Sequence, residues 1–177
     1  GRYFPDPGKA LMNVSGIWAS VFVIAVLFLT PIAKFTQFRM ISRYRRFVGL
    51  GAFMYSILHL VVYLVLFAGL NLSWVVSDLV EKPYIYAGVL AVIILSALAI
   101  TSTKKMMRRM GKNWKVVHRL VYLAAACIVA HLWWQVKSDI TLAMWFSVFI
   151  VPLLVIRINQ TSYYKKYFKK TLKKGLR

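Results

Sequence analysis

Apolar residues gather into five long runs, and the polar residues are left to the segments between them. The runs cover Val14 to Ala33, Phe47 to Leu70, Tyr84 to Thr103, Val116 to Val136 and Ile140 to Ile156. Each reaches or approaches the roughly 20 residues that a helix needs to cross a hydrocarbon core. Together they use most of the chain. The pattern therefore predicts an all-α integral membrane protein, a bundle of five transmembrane helices with no soluble catalytic domain. Residues 1–13 read as a polar lead-in, 14–158 as the membrane domain and 159–177 as a basic tail. Pro31 is expected to kink or end the first helix, and Pro83 suits the first turn of the third. Asn71 to Pro83 reads as the longest outer loop, with Trp74, Val75 and Val76 resting on the membrane interface. Only Lys137 to Asp139 separate the last two runs, which predicts a tight antiparallel hairpin. No internal repeat and no low-complexity linker is legible.

Composition agrees with this pattern. Of 177 residues, 60% are hydrophobic, and the mean hydropathy is +0.66, too apolar for a soluble domain. The net charge of +20 changes the picture only through its distribution. Lys34 to Arg46, Lys104 to Arg119 and Arg157 to Arg177 hold 5, 7 and 8 of the 24 Lys and Arg. These blocks follow the first, third and fifth runs, so five spans put them on one side. Arg2, Lys9, Lys82 and Lys137 lie on the other side, with all four acids, Asp6, Asp78, Glu81 and Asp139. That is the positive-inside pattern, with the basic blocks facing the cytoplasm. Topology and attraction to anionic lipid account for the charge, and no nucleic-acid partner is expected. Trp114, Trp133, Trp134, Tyr84 and Tyr86 fall near run ends, where aromatic belts lie. The tail interleaves Lys and Arg with Tyr, Phe and Leu, as an amphipathic inner-surface helix would. No short apolar run with a small-residue cleavage site precedes the first span, so no cleaved leader is expected. The chain opens at Gly1 rather than Met, as a fragment would.

The candidate chemistry lies in three histidines within the apolar runs: His59, His118 and His131. Ionisable residues are costly in lipid and are functional suspects by default, and neutral imidazole is the common protein ligand of haem iron. Depth sorts them. At the helical rise, His59 lies about 20 Å beyond Arg46 and His131 about 24 Å beyond Lys115, whereas His118 lies only about 5 Å beyond Lys115. His59 and His131 therefore share a level, and a haem between the second and fourth helices would find both as axial ligands. Gly49, Gly51, Ala52 and Ser56 on one helix, and Ala124, Ala125, Ala126 and Ala130 on the other, leave room for a flat macrocycle, although such residues also serve close helix packing. His118 is a half-site. A second haem there would need a ligand at Arg45 or Arg46, which cannot ligate, and the two histidines of the fourth run differ by about 140° in helical phase. Another sixth ligand, a propionate contact, or a flavin or quinone pocket each fits His118. Arg119 snorkels to the headgroups or, like Arg43, Arg45 and Arg46, pairs with a propionate or phosphate. Against these stands the interhelical hydrogen bond, the ordinary role of a membrane histidine. Cys127 reads as a packed apolar thiol. The four acids all lie outside and cannot form a catalytic pair, and no phosphate loop or zinc motif is present.

Several separated stretches carry a resemblance. They are Arg45-Arg46-Phe47-Val48-Gly49-Leu50, then Leu58-His59-Leu60 with Tyr63, Glu81-Lys82-Pro83-Tyr84, Leu98-Ala99-Ile100-Thr101-Ser102-Thr103, Met110-Gly111-Lys112-Asn113-Trp114-Lys115, His118-Arg119-Leu120-Val121-Tyr122 and His131-Leu132-Trp133-Trp134-Gln135-Val136-Lys137. In order and spacing, over most of Pro5 to Asn159, the chain resembles the MsrQ (YedZ) family of the ferric-reductase-like transmembrane superfamily. The resemblance implies an inner-membrane b-type cytochrome whose histidines match His59, His118 and His131. It implies electrons drawn from the quinone pool or a cytoplasmic flavin reductase, with FMN as an associated cofactor. The implied acceptor is MsrP, a periplasmic molybdopterin enzyme that reduces methionine sulfoxide in proteins. That family usually has six spans, and the first has no counterpart here. A self-standing ferric or oxygen reductase core is the near alternative, although it normally needs a flavin-nucleotide domain. A non-redox helical membrane protein is the distant one.

Overall fold

The computed structural model describes residues 6–35, 39–135 and 140–174, with side chains for 6–29, 31–32, 44–135 and 140–157. The described residues contain helices and no strand. In chain order these are α1 (Pro7–Phe35), α2 (Arg39–Val62), α3 (Leu72–Glu81), α4 (Tyr84–Ile100), α5 (Lys104–Met110), α6 (Asn113–Val117), α7 (Leu120–Gln135) and α8 (Thr141–Lys174). A wider π turn, Tyr63–Phe67, continues α2.

Three stretches are long and apolar enough to cross a membrane: Pro7–Leu29, Tyr44–Phe67 and Asn113–Gln135. α3 and α4 pass that test only together and are bent by 114° at their junction, while Thr141–Arg157 is a shorter apolar helix. The five expected runs are thus all helical, but their limits differ. α1 begins at Pro7, inside the expected lead-in, and runs through Pro31 to Phe35. The fifth run and the tail form one helix, α8, with Pro152 inside it. The hairpin at Lys137 to Asp139 lies outside the described residues.

Two connections expected as loops are helical for local reasons. Asn71 Oδ1 accepts from Ser73 N at 3.0 Å and so caps α3, which occupies most of the expected outer loop. Thr103 Oγ1 accepts from Met106 N at 3.3 Å and caps α5. Gly111, at φ 52°, ends α5 in a conformation that costs glycine little. The fourth run is interrupted at His118 and Arg119. There Arg119 N bonds Val116 O and Tyr122 N bonds Arg119 O, each at 3.1 Å, three residues back rather than four, which tightens the turn.

α1 packs along α2 and α4 along α7, and α8 lies against α7 and α1. The shared core is Val23, Val26 and Leu27 of α1, Ala52 of α2, Ile94, Leu95 and Leu98 of α4, Val121, Ala124 and Ala125 of α7, and Ile150 of α8. Small residues at the crossings let helix backbones approach, which matters in lipid because dispersion replaces the hydrophobic effect as the driving force. Outside, Trp18, Met54, Ile93, Trp145 and Val148 are among many large apolar residues left exposed. A surface of this kind faces acyl chains rather than water. Ala124 is fully buried, so Ala124→Leu should overpack the centre. The expected cost is about 1–3 kcal/mol, read as a lower midpoint of chemical denaturation in mild detergent.

Candidate functional site: two imidazoles seated on two glycines

His59 near the end of α2 and His131 near the end of α7 face one another with ring centroids 6.4 Å apart and planes at 86°. Each is fixed by a backbone carbonyl of a neighbouring helix. His131 Nδ1 lies 2.7 Å from the carbonyl of Tyr84, the first residue of α4. His59 Nδ1 lies 3.0 Å from the carbonyl of Met12 in α1. A carbonyl can only accept, so each Nδ1 must carry the proton. In a neutral imidazole that leaves Nε2 with a free lone pair. Ser15 adds a second partner to His59. Its hydroxyl donates to the Met12 carbonyl at 3.0 Å, and its oxygen stands 3.3 Å from His59 Nδ1.

The glycines explain how the rings reach those carbonyls. In an α-helix the carbonyl of residue i points at residue i+4, so a ring bonded to it from the side lies over residue i+4. That residue is Gly16 above Met12 and Gly88 above Tyr84. A Cβ at Gly16 would stand 3.0 Å from His59 Cε1, and one at Gly88 2.8 Å from His131 Nδ1. A side chain at Gly88 would force the ring to shift, and one at Gly16 would press it away by a few tenths of an ångström.

Both half-sites follow one plan. Met12, Gly16 and His59 are separated from Tyr84, Gly88 and His131 by 72 residues in every case. Buried packing positions repeat at that offset as well: Ala19 with Ala91, Val23 with Leu95, Val26 with Leu98 and Ala52 with Ala124. The α1/α2 and α4/α7 pairs therefore share a packing plan at one sequence offset, where no internal repeat was expected. The repeated residue types are too interchangeable to stand out in the sequence.

The 6.4 Å between the ring centroids is a spacing that would suit one metal ion held by both imidazoles. A metal–nitrogen bond of about 2 Å and roughly 1 Å from nitrogen to ring centre put such centroids about 6 Å apart. Among the described residues no group of three or more His, Cys, Asp or Glu could hold a bare ion. A metal that brings its own equatorial ligands, as haem iron does, matches the donor set.

His118 is built differently. It caps α6, and its ring stacks on Trp114 at 4.0 Å between centroids. Thr101 donates its hydroxyl to the Ala97 carbonyl at 2.7 Å, so its oxygen accepts from His118 Nε2, 3.1 Å away. Trp114 Nε1 donates to the Thr101 carbonyl at 3.0 Å. The free lone pair of His118 is therefore on Nδ1. Arg45 is an electrostatic neighbour of His118 and of Tyr122 and Arg157. The Arg157 guanidinium lies 5.5 Å from the Tyr122 ring centroid. Arg45 Nε is buried with no hydrogen-bond partner, alone in this among the described side chains. Arg46 is half-buried and Arg119 exposed. Arg43 lies outside the described side chains.

The small residues expected to make room for a macrocycle mostly serve helix packing. Gly51 faces the Phe22 ring, where a Cβ would stand 2.9 Å from Cε1, and Ala52, Ala124 and Ala125 are core. Cys127 is a buried free thiol. Sequence reasoning passed over Gly16, Gly88, Ser15, Thr101 and the two carbonyls. The shared 72-residue spacing of the glycines and histidines is the signal that could have found the first two.

A family model described as ferric reductase like transmembrane component matches residues 15–129. The protein-methionine-sulfoxide reductase heme-binding subunit MsrQ of Brucella ovis is 37% identical over 158 residues, covering 89% of this chain and 71% of that protein. The protein of the same name from Brucella abortus strain 2308 matches at the same identity and coverage. That from Brucella melitensis biotype 2 is 36% identical over the same shares. No solved structure gives a significant match.

Gly88→Ala should displace His131 from Tyr84 and cut cofactor affinity about 10-fold or more, read as haem retained per purified chain. Gly16→Ala should act likewise on His59. Gly49→Ala, whose Cβ meets only Val26 at an ordinary 3.8 Å, should change nothing.

Proposed function

This chain belongs to the ferric-reductase-like transmembrane family, within its MsrQ branch, and we propose that it is the haem-binding subunit of a membrane methionine sulfoxide reductase system. One observation carries this reading: two imidazoles at one level, each with Nδ1 bound to a carbonyl and Nε2 left for iron. A haem held by His59 and His131 would supply one-electron iron chemistry, which suits electron transfer. The chain's own residues supply the ligands, fix their tautomer and orientation, and keep water away with the apolar walls of α1, α2, α4 and α7.

The finer assignment is a b-type haem ligated by His59 and His131, in a bacterial inner-membrane protein with its basic blocks in the cytoplasm. His118 and Arg45, with Arg46 and Arg119 nearby in the chain, form the cytoplasmic entry. The unpartnered Arg45 Nε supports an anionic or carbonyl-bearing redox group there, such as FMN or a quinone, or a propionate of a second haem. Electrons come from the quinone pool or a cytoplasmic flavin reductase. They leave outward to the periplasmic molybdopterin reductase MsrP, which reduces protein methionine sulfoxide. Residues 14–158 make up the haem domain and 159–177 the cytoplasmic tail.

A reduced-minus-oxidised spectrum with haem and flavin quantified per chain tests the proposal. His59→Ala and His131→Ala should each abolish the low-spin signal. His118→Ala should keep it while slowing reduction from the cytoplasmic side. A colourless, iron-free preparation would overturn the proposal.

A further inference from the structure

The outer ends of α2 and α4 are joined by more than the chain between them. Tyr63 stands one turn beyond His59, in the π turn that ends α2; such turns recur at functional sites. Its hydroxyl donates to Asp78 Oδ2 of α3 at 2.9 Å. The other oxygen of Asp78 takes the Lys82 ammonium. Lys82 opens the turn into α4, its carbonyl accepting from Ile85 N at 3.0 Å. Two residues on, Tyr84 offers its carbonyl to His131 and sets its ring edge-on to the imidazole at 5.6 Å. A chain of contacts thus runs from the helix of one imidazole to the seat of the other.

α3 is otherwise lightly held. Its outer surface leaves Leu72, Trp74, Val76 and Val80 exposed. It is entered through a reversal in which Gly69 and Leu70 both take positive φ, 55° and 56°. Leucine is unfavourable there, and such strain persists only where the surroundings over-determine it. The Tyr63–Asp78 bond is the side-chain tie that anchors the far end of α3 to α2.

We infer that Tyr63, Asp78 and Lys82 form a clasp that holds the first turn of α4 against His131, making all three positioning residues for that imidazole. The seat of His131, in α4, lies within the clasp, whereas the seat of His59 is in α1, outside it. The inference rests on the haem reading above.

Its test uses the full chain purified with haem. The measurements are the low-temperature electron paramagnetic resonance g values of the oxidised haem and its midpoint potential. Tyr63→Phe removes one hydroxyl and no charge, so any change it causes reports geometry. Tyr63→Phe and Asp78→Asn should each retain haem and shift both readouts, and the double variant should shift them no further than Asp78→Asn alone. Asp78→Glu, which keeps the carboxylate, should return them towards the starting values. Ser77→Ala, which loses only a bond to Glu81 on the same helix, should leave them unchanged. A shift in Asp78→Asn with none in Tyr63→Phe would be a plain charge effect and would overturn the clasp, as would unchanged values in both. Should Asp78→Asn fail to fold, Tyr63→Phe alone decides. Absence of haem from the unmodified chain overturns the haem reading instead.

Discussion

A carbonyl inside a transmembrane helix is already engaged by the amide four residues on, and no water is present in lipid to satisfy anything added to it. Two such carbonyls, those of Met12 and Tyr84, nevertheless take a further donor from another helix, and the arrangement of the bundle follows from that. The extra donor is an imidazole N–H on a facing helix, and it arrives where the fourth residue on has no side chain. Gly16 and Gly88 therefore bring α1 to α2 and α4 to α7 at the level of the rings. Below that level Ala52, Ala124 and Ala125 continue the close approach. The bond that fixes the proton on Nδ1 also decides which nitrogen is left to ligate. Position, tautomer and helix packing are thus set by one contact, made twice.

The inner site obeys a different logic. His118 gives its Nε2 proton to Thr101 and its ring face to Trp114, so it is held as firmly as the outer pair but offers the opposite nitrogen. It also sits on the break between α6 and α7. The fourth run thus carries two imidazoles in two tautomers, each held by its own set of partners. Arg45 and Arg157 approach Tyr122 nearby, and a buried guanidinium nitrogen remains unpartnered there. The His59–His131 level thus presents two neutral imidazole donors, and the His118 level a cation with a buried, free donor nitrogen.

Much of this was legible from residues alone, for identifiable reasons. Helical rise is constant, so counting from Arg46 and Lys115 sufficed to pair His59 with His131 and to set His118 apart. The apolar runs likewise marked where the long helices lie. The glycine seats were not legible, because a glycine in an apolar run is ordinary and a carbonyl belongs to every residue. α3 was hidden because ten residues of mixed polarity after Asn71 look like loop until the cap is seen. The break at His118 has neither glycine nor proline to announce it. Ala124 and Ala125 fit either a macrocycle or close helix packing in the sequence, and only the structure assigns them to packing.

The 72-residue correspondence has a consequence for symmetry. Both copies keep their direction, each placing its imidazole near the end of its second helix and its carbonyl in the opening turns of its first. Two units running the same way place both imidazoles at one level, whereas units of opposite direction, as in the inverted repeats of many transporters, would have set them at opposite ends. The two ends of the bundle are thereby left chemically unlike: a facing pair of imidazoles at one, and a lone imidazole beside Arg45 at the other.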